Sequence, residues 1–198
     1  MRRLSGFTLI EQMFTMSLVA IGLSIAVPSF ARLNADTRAR ITAEELAGAL
    51  RLAQVSAVTH NRTAVFELTN AVPTYDAAAV PDGSNWLVKV LPSAIASEAA
   101  TGKDLIKVAT FARQNGVTLT GPALVCFDPI GVQVATPAAA AGLSAACAPP
   151  GGSLGSPTSY MVSRVGATRQ FRVLVYRAGR VHVCESGRQN GTTPDECP

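Results

Sequence analysis

Few side chains in this sequence are equipped for chemistry. Cysteine occurs only at Cys126, Cys147, Cys184 and Cys197. Four cysteines support either two disulfides or a soft-metal site, and zinc sites draw on C-x-x-C pairs or closely spaced histidines. Neither pattern is present, so disulfides in an oxidising compartment are expected and no metal is. Proximity pairs Cys126 with Cys147 and Cys184 with Cys197, although four cysteines permit three pairings. His60 falls in the last turn of a helical pattern and His182 on the outward face of a strand pattern, so packing and solvation account for both. No G-x-S-x-G elbow, H-E-x-x-H helix, Walker loop or G-x-G-x-x-G turn follows a suitable strand. An enzyme is not expected, nor a cofactor. What remains is charge: six arginines lie between Arg164 and Arg188 against one acid, Glu185. That end of the chain is basic, yet a net charge of +4 suits a solvated surface or a protein neighbour as well as nucleic acid.

One carboxylate stands apart. Glu11 is followed by a charge-free run from Gln12 to Ala31, rich in Met13, Phe14, Leu18, Val19, Ile21, Leu23 and Ile25. About 20 apolar residues suffice for a helix to cross a bilayer, and a carboxylate at the edge of such a span is costly unless it is solvated or partnered. Arg2 and Arg3 precede the run and no basic residue follows until Arg32. A short basic flank stays cytoplasmic, which places the bulk of the chain outside. Ser24-Ile25-Ala26 also passes as a small-x-small site for removal of an ordinary secretory signal.

The elements that position these residues follow from periodicity. With 48% apolar and 15% charged residues, the chain can bury one core. A helix is expected from Phe7 to about His60, roughly 80 Å at 1.5 Å per residue, with Pro28 and Gly22 as points where it kinks or melts. Its second half is amphipathic: Leu46, Leu50, Ala53 and Ala57 share one face, flanked by Ile41, Leu52, Val55 and Val58. Beyond Asn61 and Arg62 the period shortens to two. Strands are expected at 63–69, 85–91, 105–112, 117–120, 124–128, 132–135, 160–164, 169–176 and 180–184, with a tight hairpin at Ala178-Gly179. Phe171, Val173 and Val175 alternate onto one face, as do Val181 and Val183. Trp86 reads as a core residue. Two loops stand out by composition, 71–84 and 136–157. The second carries Cys147, which a bridge to Cys126 would fasten.

Gly6-Phe7-Thr8-Leu9-Ile10-Glu11, after a short basic leader, resembles the prepilin signature of type IV pilins and type II secretion pseudopilins. The resemblance implies cleavage after Gly6 by a prepilin peptidase, N-methylation of Phe7, and pairing of Glu11 with the freed amine of a terminal residue during filament assembly. Pro28 within the apolar run belongs to the same pattern. The later chain resembles the GspH/FimT-type minor pilins and pseudopilins, through Leu46-Ala47-Gly48-Ala49-Leu50-Arg51-Leu52-Ala53, Asn85-Trp86-Leu87 and Gly179-Arg180-Val181-His182-Val183-Cys184. The fold implied is α+β and type IV pilin-like: a leader over 1–6, a membrane or filament-core helix over 7–33, its amphipathic continuation over 34–60, and an antiparallel β-rich head with disulfides over 61–198. The function implied is a minor subunit of a type IV pilus, anchored by a single pass in the bacterial inner membrane with its head in the periplasm. Its partners would be other major and minor pilins or pseudopilins. The alternatives are a minor pseudopilin of the type II secretion system and a pilus-tip module that binds double-stranded DNA. For the last, FimT-type relatives carry a G-R-x-R motif. Here it reads Gly179-Arg180-Val181-His182, with Arg177 and Arg188 nearby to supplement the missing charge.

Overall fold

The computed structural model describes residues 8–92, 104–111, 116–135, 143–150, 156–187 and 197. A single helix, α1 (Leu9–His60), organises the remainder. Thr8 is extended, and its carbonyl accepts the amides of Glu11 and Gln12 at 3.1 and 3.2 Å. Glu11 therefore sits in the first turn, where a carboxylate opposes the positive end of the helix dipole. The far end closes at Asn61 in the left-handed conformation (φ 50°, ψ 39°), with the Arg62 amide returning to the Ala57 carbonyl at 3.1 Å. Asparagine tolerates that conformation better than most residues, so the chain turns sharply into the first strand. The break expected near Pro28 is absent. Proline removes one backbone donor, and the intact turns on either side carry the helix through it.

Burial divides α1 in two. Every described residue before Ala35 is exposed. From there Ala35, Ala39, Ala43, Leu46, Ala47, Leu50, Ala53 and Ala57 are buried, a stripe at spacings of three and four. Alanine dominates it, so the strands approach the helix closely along its length.

Among the described residues nine strands follow, all paired antiparallel: β1 (Ala64–Thr69), β2 (Asn85–Val90), β3 (Asp104–Thr110), β4 (Val117–Thr120), β5 (Leu124–Phe127), β6 (Gln133–Val134), β7 (Thr158–Arg164), β8 (Gln170–Val175) and β9 (Val181–Ser186). They form two sheets, ordered β3-β2-β1-β5-β6 and β4-β7-β8-β9, both packed on α1. Aromatic side chains join the layers. Phe66 lies 6.1 Å from Trp86 and 5.9 Å, edge-on, from Tyr160, while Trp86 lies 6.1 Å from Phe111. Trp86 also donates its indole N–H to Glu45 at 3.4 Å, and it is buried as expected.

The five-stranded sheet is buried on its outer face as well. Val65, Leu124 and Cys126 pack there with Leu91 and Cys147. Both expected disulfides are present: Cys126–Cys147 holds segment 143–150 over this face, and Cys184–Cys197 ties the C-terminus to β9. With no free cysteine, no thiolate remains for a metal. The same face hides an ion pair, Glu67 to Lys89 Nζ at 2.6 Å, with both side chains fully buried. Lys89 Nζ also donates to the Tyr75 carbonyl at 2.9 Å and lies 5.2 Å from the Tyr75 ring, so the 71–84 loop forms the lid over the pair. Desolvation raises the Glu67 carboxyl above its ordinary range, and Lys89 opposes that shift.

Candidate functional site: an uncovered helix and a basic hairpin

Two regions carry the features that the sequence singles out. The first is the lower half of α1. Leu9, Ile10, Met13, Phe14, Met16, Leu18, Val19, Ile21, Leu23, Ile25 and Val27 are all more than half exposed, on every side of the helix. A soluble helix shows an apolar stripe; one apolar all round requires lipid or protein around it. By length and composition this segment can cross a membrane, and none of its apolar window is buried in the chain's own core. Thr15, Ser17 and Ser24 turn their hydroxyls back onto the carbonyls of Gln12, Met13 and Ile21, so they present little unmet polarity. Glu11 stands exposed at the lower end of this rod, and Pro28 lies toward its upper end. Gly6 and Phe7 lie outside the described residues.

The second region is the β8–β9 hairpin. Its loop spans Tyr176 to Arg180. The Tyr176 amide donates to the Arg180 carbonyl at 2.9 Å and the Gly179 amide to the Tyr176 carbonyl at 2.8 Å. Gly179 is required twice over. Its φ is +83°, and a β-carbon there would collide with the Gln54 side chain and the Gly131 carbonyl. Gln54 itself donates to that carbonyl at 3.0 Å, and the Gln133 amide donates to the Arg177 carbonyl at 2.9 Å. The hairpin tip is thus held by the helix and by the β5–β6 turn of the other sheet. Arg51 adds a bond from Nη2 to the Val181 carbonyl at 3.0 Å.

On this platform Arg177 and Arg180 are exposed. The Arg180 guanidinium lies over the Tyr176 ring, 4.4 Å from its centre, a cation–π contact. Val175 pairs with Val181 and Leu174 with His182, so Arg172, Leu174, Tyr176, Arg180, His182 and Cys184 share the face turned away from Val173 and Val175. His182 is half-buried there, beside the bridge to Cys197. Arg188 lies outside the described residues. The structure therefore gathers Arg177, Arg180 and His182 at one end of one hairpin, and it adds Tyr176 and Arg172, which sequence reading passed over. Alternation across the Ala178-Gly179 turn was the signal that would have found both. Such a face offers guanidinium donors and an aromatic surface to an anionic partner.

At the opposite end of the same sheet the helix is strapped to the β7–β8 turn. Asp36 accepts the Thr168 amide at 2.7 Å, the Thr168 hydroxyl at 2.8 Å and the Arg169 amide at 3.1 Å. Desolvation acts to raise its carboxyl, but the Thr168 hydroxyl, the Arg169 and Thr168 amides and the Arg169 charge outweigh it, and the net shift is downward.

A family model described as Type II transport protein GspH matches residues 42–179. Among solved structures, the type IV minor pilin FimU of Pseudomonas aeruginosa PAO1 aligns with a TM-score of 0.44 and 16% identity, over 73% of this chain and 90% of its own. The minor pseudopilin EpsH from the Type 2 Secretion System of Vibrio cholerae aligns with a TM-score of 0.44 and 14% identity, over 76% of this chain and 99% of its own. No curated protein matches the sequence.

Proposed function

Because the chain belongs to the GspH family, the minor pilins and pseudopilins that its sequence resembles, we propose that it is a minor subunit of a type IV pilus, drawn from the inner membrane and helping to prime or cap the filament. The family is one of structural subunits. The observation that supports this reading best is the two-part helix: one half is sealed into the head by an alanine stripe, and the other is greasy on all sides and covered by none of the described residues. A subunit that first waits in a bilayer and then packs into a filament core needs that division. In this reading the peptidase cuts after Gly6, Phe7 becomes the methylated first residue, and Glu11 at the foot of the rod meets a terminal amine as subunits enter register.

Intact mass and N-terminal sequencing of membrane-extracted protein test the reading. A mature chain beginning at methylated Phe7 supports it; one cut after Ala26 has lost the rod and refutes it. The family's designation as a type II transport protein favours a second reading, a minor pseudopilin of the type II secretion system. Cross-linking in the native cell separates the two by whether pilus or secretion components are captured.

The braced hairpin favours an added role in contacting DNA, since Arg177 and Arg180 are exposed together beside the Tyr176 ring. A head lacking residues up to Leu33 then retards double-stranded DNA in a salt-sensitive manner, and Arg180→Ala with Arg188→Ala abolishes the shift. No retardation at low salt ends this role.

A further inference from the structure

We infer that the tip of the β7–β8 hairpin is a contact surface for anionic phospholipid headgroups, on which the head rests before assembly. The inference builds on reading the lower half of α1 as a membrane span.

The helix itself supplies the ruler. The charge-free run from Gln12 to Ala31 is 20 residues long, about 30 Å at 1.5 Å per residue, which matches the hydrocarbon thickness of a bilayer. The hydrocarbon boundary on the head side therefore falls near Arg32. The headgroup layer adds roughly 5–7 Å on each side, or about four helical residues. Four residues beyond Arg32 is Asp36, whose carboxylate grips Thr168 and the Arg169 amide within 3.1 Å. The β7–β8 turn is thereby fixed at the outer margin of the headgroups. It cannot swing away, because three bonds and the unbroken helix hold it there.

Direction supports the same placement. The β8–β9 turn is level with Gln54, and β8 runs from there down to the Asp36 strap, so residues 165–167 form the end of the sheet nearest the span. That tip suits an interface. Val165 is 82% exposed, with Gly166 exposed beside it, and the exposed Arg169 follows the turn, whereas Arg164 before it turns Nη1 into the head. On α1 the exposed Arg32 and Arg38 stand at the same level. The acids facing this collar have partners: Asp36 holds Thr168, Glu44 pairs with Arg40 at 2.9 Å, and Glu185 lies 3.6 Å from Arg169 and shares its charge, so the surplus positive charge comes chiefly from Arg32 and Arg38. An exposed valine at the level of Arg32, Arg38 and Arg169 matches an interface in which an apolar side chain dips toward the acyl boundary and guanidinium groups reach phosphates.

The test uses the full chain in vesicles and tryptophan reporters quenched by brominated lipids. Wild type supplies the baseline, because Trp86, the single tryptophan, is 2% exposed within the head. Ile21→Trp reports on the middle of the span, Val165→Trp on the tip, and Ile130→Trp on the exposed β5–β6 turn at the far end of the head. Expected are quenching of Ile21→Trp by deeply brominated lipid, quenching of Val165→Trp by lipid brominated near the glycerol, and none for Ile130→Trp. Quenching of Val165→Trp should be stronger in phosphatidylglycerol than in phosphatidylcholine vesicles, and Arg32→Gln with Arg38→Gln should erase that excess. If Ile21→Trp is quenched and Val165→Trp is not, the tip contact is refuted while the span stands. If Ile21→Trp is also unquenched, the span reading fails and the contact with it. Equal quenching in the two lipids, or an excess that survives removal of both arginines, refutes the headgroup assignment.

Discussion

Tyr160 keeps a hydroxyl that receives no hydrogen bond from the described residues, at full burial between the two sheets. Burial pushes its phenol well above the ordinary value, so it stays neutral and its unmet polarity is a standing cost. Tyr160→Phe keeps the ring against Phe66 and removes the orphan oxygen, and it should leave stability unchanged or raise it by about 1 kcal/mol in urea unfolding. The Glu67–Lys89 pair behaves oppositely. Glu67 Oε1 has no hydrogen-bond partner among the described residues, so the carboxylate depends on Lys89 for compensation. Lys89→Met should cost about 3–5 kcal/mol by stranding that charge, and adding Glu67→Leu to the same chain should recover most of the loss. A double variant as unstable as the single one would show that the pair is stabilising on balance.

At the scale of elements, the Asp36 strap is the contact most open to titration. Its carboxyl is held below the ordinary 3.8, so the native state favours the charged form. The stability it contributes is complete above the unfolded-state value and is lost as pH falls through the lower native one. Asp36→Ala should cost about 1 kcal/mol at neutral pH, and the gap to wild type should close as pH drops below 3.8. A gap that persists in acid would assign the effect to packing. The nine described strands were legible in the sequence, because alternation and turn residues act locally: β4 was placed at its observed bounds, Val117–Thr120, and β2 within one residue. Disulfide bonding was legible too, whereas its connectivity was favoured by proximity and left open among three pairings. What escaped was set by distant partners. Nothing local marks Glu67 and Lys89 for burial; the Tyr75 loop, folded over their side of the sheet, buries them. The order of strands within the sheets escaped for the same reason, since β5 returns to β1 while β4 leaves for β7. The braced hairpin was half legible. Gly179 announced a turn, but its second duty, leaving room for Gln54 and Gly131, depends on a residue far away in the chain.

For the whole molecule, the division of α1 predicts behaviour in solution. A chain beginning at Asn34 keeps the entire buried stripe, since Ala35 is the first buried residue described. It should fold as a soluble head, whereas the full chain should require detergent or lipid; size-exclusion chromatography of both, with circular dichroism, distinguishes them. Aggregation of the truncated chain would mean that the rod contributes to the fold of the head.

The alanine stripe also decides how the molecule answers to tension. A load carried along α1 runs parallel to a seam that extends from Ala35 to Ala57 and engages both sheets together. Such a load shears every contact along the seam at once, while a sideways load peels them one after another. The head should therefore resist far more force along its long axis than across it.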